Sequence, residues 1–299
     1  MKTVYFIVDE SGAKGFASNV EAELGEFGIA AGYFVRESLL CRVRDDFNAI
    51  RAKVTGGHEG KSHVVALTPA QQRSARSLVF DYLLDRDMYC CYEAIYVQGL
   101  HAATVRVNNI SSSDVKRPPN EHYSKLRPEN PRLISELFTH LFGKAMAYAI
   151  DNYGQKVTLK VIVDTTDASV LNEYRKGAKQ LLNVFKPKVV SRVGWNSSLK
   201  KKIIHKAEIH TTFSAAELEK LFSQVEFDIV SEDSGLTFAA DVLVGSIRHH
   251  LMNKVKTVGP GKLNSKHAIA GHVLAHQMYG ASEQGLLDIK YRHPGRRLD

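Results

Sequence analysis

Two apolar runs that are typical of buried β-strands end directly on a carboxylate, and this repeated pattern constrains the fold more than any other feature. Residues 4–8 (Val-Tyr-Phe-Ile-Val) are followed by Asp9, and residues 157–163 (Val-Thr-Leu-Lys-Val-Ile-Val) are followed by Asp164. A strand that is covered on both faces reads as a nearly continuous apolar run. Parallel strands of an α/β sheet gather their carboxyl ends at one edge, where sites form. Asp9 and Asp164 are therefore predicted to meet at such an edge.

The order of the remaining patterns predicts an α/β fold. Apolar runs and helical spacing predict strands at residues 27–35, 88–98 and 225–230, and helices at residues 39–53, 132–153, 170–185 and 236–252. A further helix is expected after Thr68, which suits an N-cap, with Pro69 in the first turn. Strands come first and then alternate with helices, which favours a mixed β-sheet flanked by helices. Its first strands would be antiparallel and its later ones parallel.

The chain is predicted to form one main domain with two additions. Residues 108–131 are polar, contain four prolines and predict a long loop or insertion. Residues 254–299 are rich in glycine and lysine and are interpreted as a basic C-terminal extension that packs on the domain formed by residues 1–253.

The net charge and the cysteine content indicate which binding partners and which cellular compartment to expect. The net charge is +8, which favours a polyanionic partner such as nucleic acid. Cys41, Cys90 and Cys91 form no disulfide framework, and no apolar run reaches the length of a transmembrane helix. The N-terminus also lacks the pattern of a signal peptide. We therefore expect a cytoplasmic protein without a membrane partner.

A third carboxylate, Asp241, interrupts the most apolar helix predicted in the chain. A charge among apolar side chains is costly unless it is paired or bound to a metal. Arg248 or His249 could pair with it, and Gly245 is interpreted as letting the helix approach a strand closely.

Together the three aspartates predict a cation site. Several carboxylates that share one pocket repel one another and need divalent ions, and oxygen ligands favour Mg²⁺ or Mn²⁺. Two such ions, about 3.5–4 Å apart, can hold the attacking and leaving oxygens of a phosphodiester. Taken singly, an aspartate at the end of a strand is more often a turn former or a helix cap.

Two motifs resemble those of a known family. Asp9-Glu10-Ser11-Gly12 after an apolar strand, and Phe-Ala-Ala-Asp-Val-Leu-Val-Gly at residues 238–245, are similar to the opening and closing motifs of the domain of unknown function 3800 family. The resemblance implies a ribonuclease H-like fold and a metal-dependent nuclease in which Asp9 and Asp241 bind metal. It also carries over Asp164 as a third ligand and Glu59, which lies shortly before Lys61, as a fourth acidic residue.

A basic segment at residues 186–206 is the main candidate for nucleic-acid contact. Its cations can contact phosphates and its tryptophan can stack on a base, although such a segment is commonly a solvated loop. The residues expected to bind nucleic acid are Lys61, Arg192, Trp195, Lys200, Lys201 and Lys202. The leading hypothesis is a two-metal nuclease acting on RNA or DNA. The alternatives are a non-catalytic nucleic-acid-binding module with the same fold and a nucleotide phosphohydrolase.

Overall fold

A computed structural model describes most of the chain. It covers residues 2–57, 63–113, 120–123, 132–154, 156–183, 188–209, 225–263, 268–280, 289–290 and 293. Within these ranges the strands are β1 (Lys2–Gly12), β2 (Phe27–Arg36), β3 (Cys90–Tyr96), β4 (Glu121–Tyr123), β5 (Val157–Val163), β6 (Lys188–Asn196), β7 (Lys201–Ile209), β8 (Val225–Ser231) and β9 (Ile289–Lys290). The α-helices are α1 (Leu40–Thr55), α2 (Pro69–Asp85), α3 (Val97–Ser113), α4 (Leu133–Tyr153), α5 (Ala168–Leu182) and α6 (Gly235–Val258).

The main sheet is mixed, with the strand order β8-β5-β1-β2-β3-β9. Strands β1, β2 and β3 pair antiparallel to one another, whereas β5 is parallel to β1 and β8 is parallel to β5. Strand β9 is parallel to β3. The prediction of an α/β fold with antiparallel first strands and parallel later strands is confirmed.

Helices cover both faces of this sheet, and β1 contributes side chains to both layers. Helices α1, α2 and α6 share a core with Ile7, while α4 and α5 share the opposite core with Phe6 and Val8. The alternation follows from strand geometry, in which successive side chains point to opposite faces. The direction of any side chain on β1 is therefore fixed by its position relative to Ile7.

Capping residues set the ends of the helices that frame the site. Thr68 caps the start of α2, as the sequence predicts, and it forms a reciprocal capping box with Gln71. Ser234 caps α6 through its hydroxyl, which accepts a hydrogen bond from the Leu236 N–H at 3.2 Å. Helix α6 then continues to Val258, past the domain boundary expected at residue 253.

The prediction that Gly245 lets α6 approach a strand is wrong. A Cβ atom built at Gly245 would meet no atom within 4 Å. The close approach occurs instead at Gly235, where a Cβ atom would lie 2.2 Å from the backbone nitrogen of Asn48 on α1. The first turn of α6 thus packs directly on the backbone of α1.

The expected insertion and basic segment contain regular structure. Helix α3 begins at Val97, which ends β3 earlier than predicted, and continues to Ser113 inside the segment expected to be a loop. Strand β4 follows and pairs with β6, which forms a hairpin with β7, so the insertion and the basic segment together form a small three-stranded sheet. Backbone pairing between distant segments, which local polarity does not reveal, explains the difference.

The described part of the C-terminal segment packs on the main domain. Ala268, Ile269, Leu274 and Met278 belong to the same apolar core as α6. Among the helices in the described ranges, none combines the length and the apolar character that crossing a bilayer requires.

Candidate functional site

The register of the parallel strands brings Asp9 and Asp164 to the same level of the sheet. Val8 on β1 pairs with Val163 on β5, so the next residue on each chain is an aspartate. Neighbouring strands lie about 4.8 Å apart. Asp164 lies just after the end of β5, whereas β1 continues to Gly12, so Asp9 is within its strand rather than at its last position.

Because β1 continues, its adjacent carboxylates face opposite layers. Asp9 shares the face of Ile7 and points toward α6, while Glu10 shares the face of Val8 and points toward α5. Glu10 forms an ion pair with Lys14 at 3.1 Å. Burial and the nearby charge of Glu10 raise the pKa of the Tyr174 hydroxyl on α5, which remains a neutral hydrogen-bond donor beside Glu10.

Asp241 is oriented by the segment that precedes α2. The Val64 N–H donates a hydrogen bond to Asp241 Oδ2 at 2.8 Å, and His63 Nδ1 lies 4.0 Å from the same oxygen. In the described part of the chain, Asp241 therefore contacts Val64 and His63 and not Arg248 or His249, which were the alternative partners. The Asp241 side chain is 24% exposed, so it can still be reached from the solvent.

All three aspartates line one open cavity of about 370 Å³. Four other titratable side chains share its wall: Glu10, Lys14, His63 and Tyr174. The cavity therefore joins residues from β1, the end of β5, α5 and α6 with the turn before α2. Of these wall residues, Lys14 and Tyr174 were missed at the level of sequence, where no spacing connects them to the aspartates.

The cavity disfavours negative charge in the absence of a cation. Burial, followed by the charges of Glu10 and Asp241, raises the pKa of Asp9 well above its usual range, and Asp164 adds to this effect. Burial also raises the pKa of Asp241, against the opposing hydrogen bond from Val64. Asp9 is only 9% exposed, and no cationic side chain in the described ranges forms an ion pair with it. A negative charge on Asp9 is therefore not compensated by an ion pair with a described side chain.

The donor chemistry suits a hard divalent ion, because the converging ligands are carboxylate oxygens. The acidic side chains do not converge on one position, since no three His, Cys, Asp or Glu residues in the described part of the chain form a group that could hold a metal. Asp164 Oδ1 accepts a hydrogen bond from the Thr165 N–H at 2.7 Å. Asp241 Oδ2 accepts a similar backbone hydrogen bond from Val64, so each of these two carboxylates already has one oxygen engaged.

Sequence reasoning also missed Glu232, which reaches the same edge of the sheet. It follows β8, and its N–H donates to the Val163 carbonyl oxygen at 3.0 Å. Its carboxylate is neutralised by Arg44 at 3.1 Å and accepts a hydrogen bond from the Ser234 hydroxyl at 2.6 Å. The signal was available, because β8 ends on a carboxylate as β5 does. Its pairing gives Glu232 a structural role that Asp9 lacks.

Glu59 and Lys61, predicted as a fourth acidic residue and a nucleic-acid contact, lie outside the described residues. The other predicted contacts lie on or beside the β6–β7 hairpin and are not among the residues that line the aspartate cavity. Trp195 on β6 is about half exposed, and Lys201 and Lys202 are exposed on β7. Arg192 pairs in register with His205, and Lys200 occupies the turn with φ of 46°.

Comparison with known proteins adds no assignment. No protein-family model matches the chain, and no curated protein matches it.

Proposed function

We propose that this chain is a nuclease that hydrolyses phosphodiester bonds of RNA or DNA with Mg²⁺ or Mn²⁺, on a ribonuclease H-like sheet. The observation that carries the proposal is the buried Asp9 carboxylate, which faces Asp241 in an open cavity and has no ion-pair partner among the described cations. A buried charge in that position is destabilising by itself. Its presence is explained if a cation binds there.

Asp9 and Asp241 would hold the ions, with Asp164 as a third ligand. When bound, such ions lower the pKa of a water molecule and stabilise the attacking and leaving oxygens. Hydrolysis forms a bond from the water oxygen to phosphorus and breaks the bond to the leaving oxygen, which receives a proton. The Val64 N–H fixes the direction of the Asp241 carboxylate, and Lys14 and His63 line the cavity where they can contact a phosphate oxygen.

Cleavage of labelled RNA, single-stranded DNA and duplex DNA in Mg²⁺, in Mn²⁺ and in EDTA tests the proposal. We expect metal-dependent cleavage that Asp9→Asn and Asp241→Asn each reduce by at least about a hundredfold, in the range of losses seen when charge stabilisation at a reacting centre is removed. Asp45→Asn, at an exposed position on α1, is the matched control and should cleave normally. Full metal-dependent activity in both cavity variants would place the active site elsewhere.

The same assay separates the alternatives. Binding of the oligonucleotides without cleavage under any metal condition would favour a non-catalytic binding module. Release of phosphate from nucleotides while polymers stay intact would favour a nucleotide phosphohydrolase. Mn²⁺ binding measured by electron paramagnetic resonance, compared between the unchanged protein and Asp9→Asn, tests the metal site without requiring a substrate.

A further inference from the structure

A second cavity of about 480 Å³ adjoins the aspartate cavity along α6. The two share Ser11, Val65 and Asp241, so the second cavity continues from the aspartate cavity. It lies between α2 and α6, and we call it the α2–α6 groove. The residues of the groove that carry the inference are Arg76, Gly245, Arg248, His249, Asn253 and Lys256.

The groove follows one stripe of α6. Asp241, Gly245, His249, Asn253 and Lys256 are separated by four, four, four and three residues, which places them on the same face of a helix. At 1.5 Å of rise per residue the stripe from Asp241 to Lys256 is about 22 Å long. That length corresponds to about six nucleotides of one strand at the 3.4 Å spacing of a B-form helix.

The charge of the groove is opposite to that of the aspartate cavity. Arg76, Arg248 and Lys256 line it, together with two acidic residues, Glu23 and the shared Asp241. Arg248 Nε is buried and has no hydrogen-bond partner among the described atoms. Arg248 nevertheless lines the groove, where its guanidinium can form charge-assisted hydrogen bonds with an anionic ligand.

Gly245 leaves the floor of the groove open. A side chain here would not collide with the protein, since a Cβ atom meets nothing within 4 Å. A glycine inside a helix lowers helix stability relative to other residues, and packing does not explain this one. Its contribution is the space it leaves next to Asp241.

We propose that the α2–α6 groove binds the sugar–phosphate backbone of the substrate strand on one side of the bond to be cleaved. The inference rests on the proposed nuclease function and specifies where the substrate lies. Guanidinium and ammonium groups contact phosphates without reading bases, so the groove binds strands irrespective of sequence. The β6–β7 hairpin, which the sequence singles out, is then secondary for affinity.

Fluorescence anisotropy with a labelled single-stranded oligonucleotide of mixed sequence, in EDTA and at several salt concentrations, tests the proposal without catalysis. We expect Gly245→Glu, which adds bulk and negative charge, to weaken binding by about tenfold or more. Glutamate favours helix more than glycine does, so a circular dichroism melt should show the variant folded. Ala52→Glu, at an exposed position on α1, adds the same charge elsewhere and should bind normally.

A second pair of variants measures the phosphate contacts. Arg76→Ala combined with Lys256→Ala should weaken binding and reduce the slope of log K against log salt by about 1.4, or about 0.7 for each lost contact. Lys176→Ala combined with Lys179→Ala removes the same charge from exposed positions of α5 and should leave the slope unchanged.

The outcomes separate this proposal from the proposed function. Unchanged binding in both groove variants, an equal loss in the α5 pair, or absence of binding by the unchanged protein would each overturn the groove as the substrate path. A larger loss on replacing Lys200, Lys201 and Lys202 by alanine would overturn it in favour of the hairpin. If the groove variants lose binding while the unchanged protein never cleaves, the groove stands and the nuclease proposal fails.

Discussion

Acidification should destabilise the fold through His272, which is buried beside α6. Its Nδ1 accepts a hydrogen bond from the Leu274 N–H at 3.2 Å, and its Nε2 lies 3.1 Å from the Ser246 hydroxyl. Burial, with a smaller contribution from His250, lowers the pKa of His272 from 6.5 to about 4. Because the folded-state pKa lies below the unfolded value, the unfolded chain takes up the proton first as the pH falls.

The size of the effect follows from the two pKa values. The stabilisation is present above about pH 6.5 and is lost as the pH falls toward 4. Between pH 7 and pH 5 the free energy of unfolding should fall by about 1.8 kcal/mol through this residue alone. At the average unfolding entropy per residue, a loss of this size lowers Tm by about 3 °C for a chain of 299 residues.

Urea unfolding at pH 7 and pH 5 measures this contribution as a difference between proteins. His272→Gln is expected to be less stable at pH 7 because it disturbs a buried contact, but to lose about 1.8 kcal/mol less on acidification than the unchanged protein. His276→Gln, at an exposed position nearby, should keep the full loss. Equal losses in the unchanged protein and in His272→Gln would refute the reasoning.

Three further predictions test the core and the cavity. Lys144 lies 3.1 Å from Glu93 in the core, so Lys144→Met should lower the free energy of unfolding in urea by about 3–5 kcal/mol. Replacing both residues by methionine should lower it much less, and equal losses in the two variants would contradict the prediction. Gly235→Ala should lower stability by about 1–3 kcal/mol because its Cβ atom collides with α1, whereas Gly245→Ala should raise stability by about 0.5–1 kcal/mol. In EDTA, Asp9→Asn should melt at a higher temperature than the unchanged protein, because it removes a disfavoured charge. It should also lose the rise in Tm that Mg²⁺ gives the unchanged protein. A lower melting temperature with an unaltered response to Mg²⁺ would argue against the site.

The main sheet was predictable because its strands carry their own signal. The apolar runs before Asp9 and Asp164 are local, and the parallel pairing that aligns them follows from the order of strands and helices. Asp241 was recognisable for the same reason, since a charge inside an apolar helix contradicts its surroundings. Those three residues line one cavity.

Features that depend on distant pairing were not predictable. Strand β1 continues past Asp9 because it pairs with β2 as far as Gly12, opposite Gly28. The partner of Asp241 is a backbone N–H of Val64, and a backbone donor carries no signature in the sequence. Gly245 was interpreted as a contact point because glycine has two opposite uses, close packing and open space, and only the neighbouring atoms distinguish them.

The two adjacent acidic residues of β1 cannot replace each other. Glu10 could point toward α6 only if the strand slipped by one residue. Such a slip would move Ile7 to the opposite face of the sheet and bring Val8 to the face that Ile7 now occupies. The apolar pairs that hold β1 between β2 and β5 therefore also decide which carboxylate meets Asp241. In this molecule, a deletion of one residue among positions 4–8 that kept the pairing of the strand's first residues would turn Glu10 instead of Asp9 toward α6, while leaving every acidic residue in the chain.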